Sequence, residues 1–250
     1  MNDLSLSGMA LVFCAALLFS ASVTADKLVV FGATGNLGQK IVREALDRDH
    51  DVIGISRSPE NFAYTEANFT GQAGNPTSLE SVKEVIKGVD VIINAVGGRE
   101  EIVPENTAMF QSALAITEAL DEFGDQGPHL IVIAGGSTMA SSFDDLLENM
   151  PASFTEGSTG RALYIGHWRA YETYLASNLN WTLVTPPFRF IGWREGTGED
   201  YRTGEYRTAT TGRVFDEEGN NVLTASDLAV AVVDIAENGD FVHSKVALGY

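Results

Sequence analysis

The sequence predicts an α/β fold built on a doubly wound parallel sheet, and three observations carry that prediction. Short apolar runs, each too brief for a helix, recur with helical segments between them. Each run ends in glycine, proline or a small polar residue, which is where such sheets hold ligands. The chain has 250 residues, of which 44% are hydrophobic, enough for one full α/β core and short for two.

Lys27 to Gly38 organises the rest. Leu28 to Phe31 reads as a strand buried on both faces, and Gln39 to Leu46 carries helical spacing through Val42 and Leu46. Between them stand Gly32, Gly35 and Gly38. Gly32 suits a tight turn with unusual backbone angles, Gly35 lets the main chain approach a diphosphate, and Gly38 lets helix and strand pack closely. The free N–H groups of the first helical turn complete a dinucleotide site.

Asp51 to Ser56 is the second strand and ends at Ser56-Arg57. An acidic residue at this place suits the ribose hydroxyl of NAD, and an arginine suits the 2′-phosphate of NADP. NADP is therefore the expected cofactor, with NAD as the alternative. Ala67 to Ala73 is a weaker strand, followed by a turn at Gly74-Asn75-Pro76-Thr77 and an amphipathic helix over Ser78 to Lys87. Val89 to Val96 gives a fourth strand closing at Gly97-Gly98. Pro104 to Phe123 reads as one long helix that packs Met109, Leu114, Ile116 and Leu120.

Leu130 to Ala134 is the fifth strand, ending in Gly135-Gly136-Ser137. A loop is expected over Thr138 to Gly160, a helix over Ala162 to Ser177, and a strand over Trp181 to Thr185 that Pro186-Pro187 terminates. The chain then changes character. Gly192 to Asn221 is rich in Gly, Thr and charge, with short alternating pieces at Glu205 to Thr208 and Arg213 to Phe215, which predicts a small C-terminal β excursion. Thr224-Ala225-Ser226-Asp227 starts a helix in the manner of a capping box, and Val242 to Leu248 is the last strand.

The formal net charge of −18 and pI near 4.4 argue against nucleic acid and anionic membranes as partners. Residues 1–25 have the form of a signal peptide, with an apolar run over Met9 to Phe19 and small residues up to Ala25. The run is short for a membrane span. Its n-region carries only Asp3, so an uncleaved anchor and a start near Lys27 in the cytoplasm stay open beside a periplasmic or secreted protein. Residues 26–250 then form a single cofactor-binding domain, with a substrate side over about 186–224. Cys14, the only cysteine, falls in the leader, and His50, His129, His167 and His243 lack ligand spacing, so no metal is expected.

Five pieces are matched by a known group: Phe-Gly-Ala-Thr-Gly-Asn-Leu-Gly at 31–38, Ser-Arg at 56–57, Asn-Trp-Thr-Leu-Val-Thr-Pro-Pro at 180–187, Arg-Thr-Gly-Glu-Tyr-Arg at 202–207, and the closing Ala-Leu-Gly-Tyr. On these the chain resembles, over Lys27 to Tyr250, the NmrA-like atypical short-chain dehydrogenase/reductases with their Rossmann-like fold. Within that group it is most similar to NAD(P)H–flavin reductases and biliverdin reductase B-like proteins. The resemblance implies that Gly32, Thr34, Gly35, Asn36, Leu37 and Gly38 hold the pyrophosphate, Ser56 and Arg57 the adenosine phosphate, and Ala95 and Val96 the adenosine and ribose. Ser137, Pro186, Pro187 and Phe188 would lie near the nicotinamide.

Relatives that act on alcohols use a Tyr-x-x-x-Lys pair for acid–base work. Here the corresponding helix holds Tyr164, His167, Trp168, Tyr171 and Tyr174 and no lysine. His167 falls where that lysine would be and Leu163 where the tyrosine would be. Tyr164, His167 and Ser137 remain as candidate catalytic residues. Ser137 is no hydrolase nucleophile, because Gly135-Gly136-Ser137-Thr138-Met139 lacks the second glycine of a nucleophile elbow. Arg189, Arg194, Arg202, Arg207 and Arg213 suggest a positive rim that guides an anionic acceptor such as a flavin phosphate. The expected function is NADPH-dependent reduction of a flavin or quinone-like small molecule; the alternative is a non-catalytic NADP(H)-binding redox sensor.

Overall fold

A computed structural model describes residues 26–98 and 101–250. The leader read over residues 1–25, with Cys14, lies outside the described residues. The central sheet has eight strands: β1 (Lys27–Phe31), β2 (Asp51–Ser56), β3 (Phe69–Ala73), β4 (Val91–Asn94), β5 (His129–Ile133), β6 (Trp181–Thr185), β8 (Arg207–Ala209) and β10 (Ser244–Gly249). Their order is β3-β2-β1-β4-β5-β6-β10-β8. Every pairing is parallel except the outermost, where β8 runs against β10 with Leu248 opposite Thr208. β7 (Arg189–Ile191) and β9 (Val222–Thr224) form a separate parallel pair.

Alternation along β1 sorts the core into two layers, since successive side chains of a strand point to opposite faces. Leu28 and Val30 join Ile41, Val42, Ala45 and Leu46 of α1 (Asn36–Asp47) and the apolar face of α6 (Ala225–Asn238). Val29 and Phe31 face the other way, with Val82 of α2 (Leu79–Val85), Ile116 of α3 (Ala108–Leu120) and Tyr174 of α5 (Thr159–Leu175). Both faces are covered, which is why the strands read as continuous apolar runs. Among the described residues no helix is long and apolar enough to cross a membrane.

The long helix expected from Pro104 divides. Pro104–Asn106 is a single 3₁₀ turn, Thr107 is extended, and α3 starts only at Ala108. Thr107 is buried because it meets α5 at Gly166, where an added Cβ would overlap its side chain; its Oγ1 donates to the Pro104 carbonyl at 2.7 Å. Leu114, expected to pack, is 42% exposed. The stretch read as a loop from Thr138 contains α4 (Phe143–Glu148), capped by Ser142 and anchored by the fully buried Leu146. Arg213 to Phe215 is not a strand; the excursion's extended pieces are β7, β8 and β9.

The capping start at Thr224 forms as expected: its Oγ1 accepts from Asp227 N at 3.2 Å. That leaves the Asp227 carboxylate for the excursion. It accepts from Thr203 N (2.8 Å), Thr203 Oγ1 (2.7 Å), Gly204 N (2.8 Å) and the Tyr250 hydroxyl (2.5 Å). Asp200, three residues upstream of Thr203, accepts from Lys40 of α1 and from Ser226 Oγ, each at 2.5 Å. Arg202 makes a forked pair with the buried Glu44 of α1, at 2.8 and 2.7 Å. The excursion is thus moored to the helix that follows the glycine turn.

Candidate functional site

The carboxyl ends of the parallel strands gather most of the residues that the sequence singles out as candidates. The strand order reverses between β1 and β4, since the chain leaves β1 toward β2 and returns on the other side as β4. Such a switch point opens a crevice above the sheet.

On one side of it is the glycine turn. Gly32 has φ +78°, a left-handed conformation that costs a residue with a Cβ. An added Cβ there would also come within 2.7 Å of the Ala95 carbonyl oxygen at the end of β4. Gly35 N donates to Gly32 O at 2.9 Å, closing the turn, and Gly35 becomes the N-cap of α1 without a side chain to cap it. Gly38, one turn along, lies directly against the turn: its Cβ would overlap the Gly32 carbonyl oxygen and sit 2.8 Å from the carbonyl carbon.

Four other helices close their first turns with a side chain, at Ser78, Ser142, Ser158 and Thr224. In α1 the N–H groups of Asn36, Leu37 and Gly38 come ahead of the first amide with an intrahelical partner, Gln39 N on Gly35 O, and among the described residues no side chain caps them. An anionic group fits there on hydrogen-bonding and dipole grounds together. Thr34 and Asn36 are exposed on this turn and Leu37 packs partly into the core.

Arg57 follows β2 as an exposed residue, with no hydrogen bond or ion pair among the described residues. Ser56 Oγ accepts from Ser58 N at 3.0 Å and so shapes the bend that presents Arg57. Ala95 and Val96 leave β4 beside the glycine turn, with Ala95 N bonded to Phe31 O at 3.0 Å. Asn94, in an otherwise apolar strand, holds them: Oδ1 accepts from Val96 N at 3.2 Å while Nδ2 donates to Ser112 Oγ at 3.0 Å. Sequence reading passed over Asn94, although a lone amide in a buried strand is itself a signal, because it must find partners.

On the far side, Gly136–Met139 forms a 3₁₀ turn after β5. Thr138 Oγ1 donates to Gly135 O at 2.8 Å and lies 3.2 Å from Thr185 Oγ1, tying the ends of β5 and β6 together. Ser137 is fully buried and its Oγ has no partner among the described residues. His167 projects from α5 against Gly135, where a Cβ would fall 2.5 Å from the imidazole Cδ2. Burial pulls its pKa down to about 4, so at pH 7 the ring is neutral and holds one N–H to donate. Tyr164, one turn earlier, stacks edge-on against Phe154 at 5.6 Å, and burial raises its pKa, so it stays a protonated phenol.

The expected positive rim is dispersed. Arg202 is consumed by Glu44, and Arg207 by the Phe215 and Tyr250 carbonyls. Arg194 lies over Trp193, and Arg189 is exposed on β7. Only Arg213 reaches the strand ends, donating to Gly136 O at 3.4 Å and Pro186 O at 3.3 Å. Pro187 is buried, whereas Phe188 is 75% exposed beneath the Arg213 guanidinium.

Two grooves elsewhere do not mark the site. One runs along the outer side of α1 past Lys40, Arg43 and Arg202, touching the turn only through Asn36; the other, by Leu175, Trp181 and His243, involves the amino end of β6. Among the described residues no group of His, Cys, Asp or Glu is arranged to hold a metal ion.

Comparison with known proteins agrees with the geometry. The Bacillus subtilis protein YwnB is 24% identical over 217 residues, covering 85% of this chain and 92% of that protein. A candidate exported protein from Burkholderia pseudomallei superposes with a TM-score of 0.70 at 26% identity, over 90% of this chain and 100% of its own. A candidate NADH-flavin reductase from Streptococcus pneumoniae shares the fold at a TM-score of 0.67 and 24% identity, over 90% and 99%. A family model described as NAD(P)H-binding matches residues 32–239, from the first glycine of the turn to the αL residue that ends α6. The chain belongs to this NAD(P)H-binding family, with a Rossmann-like fold.

Proposed function

We propose that the protein binds NADPH across the ends of β1, β2 and β4 and passes its hydride to a flavin or quinone-like acceptor seated toward Pro186, Pro187 and Phe188. The observation that carries the reading is the uncapped first turn of α1 facing the glycine turn. In this assignment Gly32, Thr34, Gly35, Asn36, Leu37 and Gly38 take the pyrophosphate. Arg57, with no carboxylate paired to it among the described residues, takes the 2′-phosphate.

When bound, the reduced nicotinamide supplies the hydride. The chain's part is position and exclusion of water. Ser137, with its orphaned hydroxyl, is the group that nicotinamide or acceptor would satisfy. His167 offers a neutral N–H, and Tyr164 a neutral phenol, to oxygen or nitrogen on the acceptor. A conjugated acceptor that takes its proton from water needs no ionised relay, which suits a helix without lysine.

Arg57→Glu is expected to raise the NADPH dissociation constant on the order of 100-fold while changing that for NADH less than about threefold, since a charge-assisted bidentate pair would be replaced by repulsion. Equal loss for both dinucleotides in calorimetry defeats the phosphate assignment.

A second reading is favoured by the absence of an ionised acid–base pair on α5: a sensor that binds NADP(H) without turnover. Steady-state NADPH oxidation with FMN, riboflavin and quinones separates the two, and tight binding with no oxidation in any mixture leaves the sensor. We further propose that either activity is exercised outside the cytoplasm after removal of residues 1–25, on the apolar run and small residues before Asp26. N-terminal sequencing of protein from its native host is expected to begin at Asp26; a start at Met1 refutes it.

A further inference from the structure

We infer that Arg213 and Phe188 together form the acceptor-recognition platform, and that the molecule they select is planar, conjugated and carries a phosphate or carboxylate. The inference rests on the acceptor-binding reading above, and names the substrate class of that site.

Phe188 leaves β6 just past the two prolines with 75% of its surface open. Among the described residues no other aromatic ring is as open, the next being Tyr201 at 49%, and an exposed ring at the mouth of a ligand site is a ready contact surface. It is not mobile decoration: its backbone N–H donates to Asn221 Oδ1 at 2.7 Å, and Asn221 Nδ2 donates to Val214 O at 2.7 Å, beside Arg213 itself. The guanidinium carbon of Arg213 stands 3.8 Å from the Phe188 ring centroid, so the two groups are held as one stack.

The chain makes room for this stack. Gly136 leaves space for the guanidinium where it stands, since an added Cβ there would meet Arg213 Nη2 and push it aside. The bonds from Arg213 to Gly136 O and Pro186 O are long, at 3.4 and 3.3 Å, and no carboxylate pairs with it among the described residues. A guanidinium has five N–H donors in a fixed fork, and two weak bonds to carbonyls leave most of them for a ligand. Burial lowers its pKa, and a guanidinium keeps its charge in proteins. A half-buried, unpaired cation is costly unless an anion arrives. The aromatic face receives a flat ring system and the fork receives its anionic group.

The test uses the full chain loaded with NADP⁺ and flavin fluorescence quenching, which reports binding without turnover. FMN and riboflavin share the isoalloxazine ring and differ in the phosphate. Wild type is expected to bind FMN about 10-fold or more tightly than riboflavin, as befits a charge-assisted contact. Arg213→Met is expected to bind the two alike, with a wild-type far-UV circular dichroism spectrum and a cooperative melt as the check that it folds. Arg213→Lys is expected to restore part of the FMN preference, and Phe188→Ala to weaken both flavins alike. The inference is overturned if wild type binds both flavins equally, if neither binds, or if Arg213→Met keeps the preference. Failure of the reductase reading is a separate result: FMN that binds with the expected preference yet is not reduced when NADPH is added.

Discussion

Gly38→Ala is expected to lower stability by about 3 kcal/mol and to weaken nicotinamide dinucleotide binding on the order of 100-fold. Overpacking a filled site commonly costs about 1–3 kcal/mol, and here the added methyl meets main chain that cannot swing aside. It would overlap the Gly32 carbonyl oxygen and lie within 3.0 Å of Ala33 Cα. Relief requires α1 to move off β1, and a displacement of about 1 Å in positioned groups is enough for a 100-fold loss. Gly35→Ala supplies the contrast. Gly35 sits at φ −72° and ψ 160°, angles open to any residue, and its Cβ would meet only Gly32 O at 3.1 Å. That variant is expected to keep most of its thermal stability and to lose affinity. If Gly38→Ala melts with wild type, the close approach of turn and helix is not what the glycine provides.

Asp227→Ala is expected to destabilise the protein by about 3 kcal/mol or more and to loosen the excursion. The carboxylate is fully buried and accepts from two backbone amides, a threonine hydroxyl and the Tyr250 hydroxyl. Removing it strands those donors, each at about 1–3 kcal/mol when buried without a partner, offset where water enters. For a domain of this size, the loss corresponds to a melting point lower by about 6–12 °C. Hydrogen exchange should rise over residues 200–206 while β1 and β4 keep their protection; uniform change across the sheet would contradict the mooring role.

The pH dependence of Asp227 has a definite sign. Burial alone would raise its pKa, but the hydrogen bonds from Tyr250, Thr203 and Gly204 outweigh burial and hold it below the ordinary 3.8. A carboxylate depressed in the folded state contributes stability that is fully present above its unfolded pKa. That contribution is lost as pH falls through the folded one. Wild type should therefore lose an increment of stability below about pH 4 that Asp227→Ala does not show. His167 acts in a different window. Its folded pKa of about 4 lies below the ordinary 6.5, so the stability of keeping it neutral is complete above pH 6.5 and declines toward pH 4.

How legible the molecule is in its sequence depends on whether the cause is local. The turn at Gly32, Gly35 and Gly38 can be read because backbone angle and close approach both demand glycine within seven residues. The cap at Thr224 can be read because its partner is three residues away. Thr107 could not be read as a break, since nothing near it in sequence forbids helix; it is extended because Gly166 of α5 receives it. The arginines between 189 and 213 could be counted but not sorted, because Glu44, Tyr250 and Gly136, which fix where three of them stand, lie far off in the chain.

The sequence by itself determined the alternation of strands and helices, the glycine turn between β1 and α1 and the absence of a Tyr-x-x-x-Lys pair, all properties of residues that act on their neighbours. Only the tertiary structure decided that Arg213 alone of its cluster stands over the strand ends and that Glu44 and Asp227 moor the excursion to α1 and α6. A charged side chain is committed by whichever partner the fold brings within about 3 Å, and that distance is set by packing between segments the sequence keeps apart.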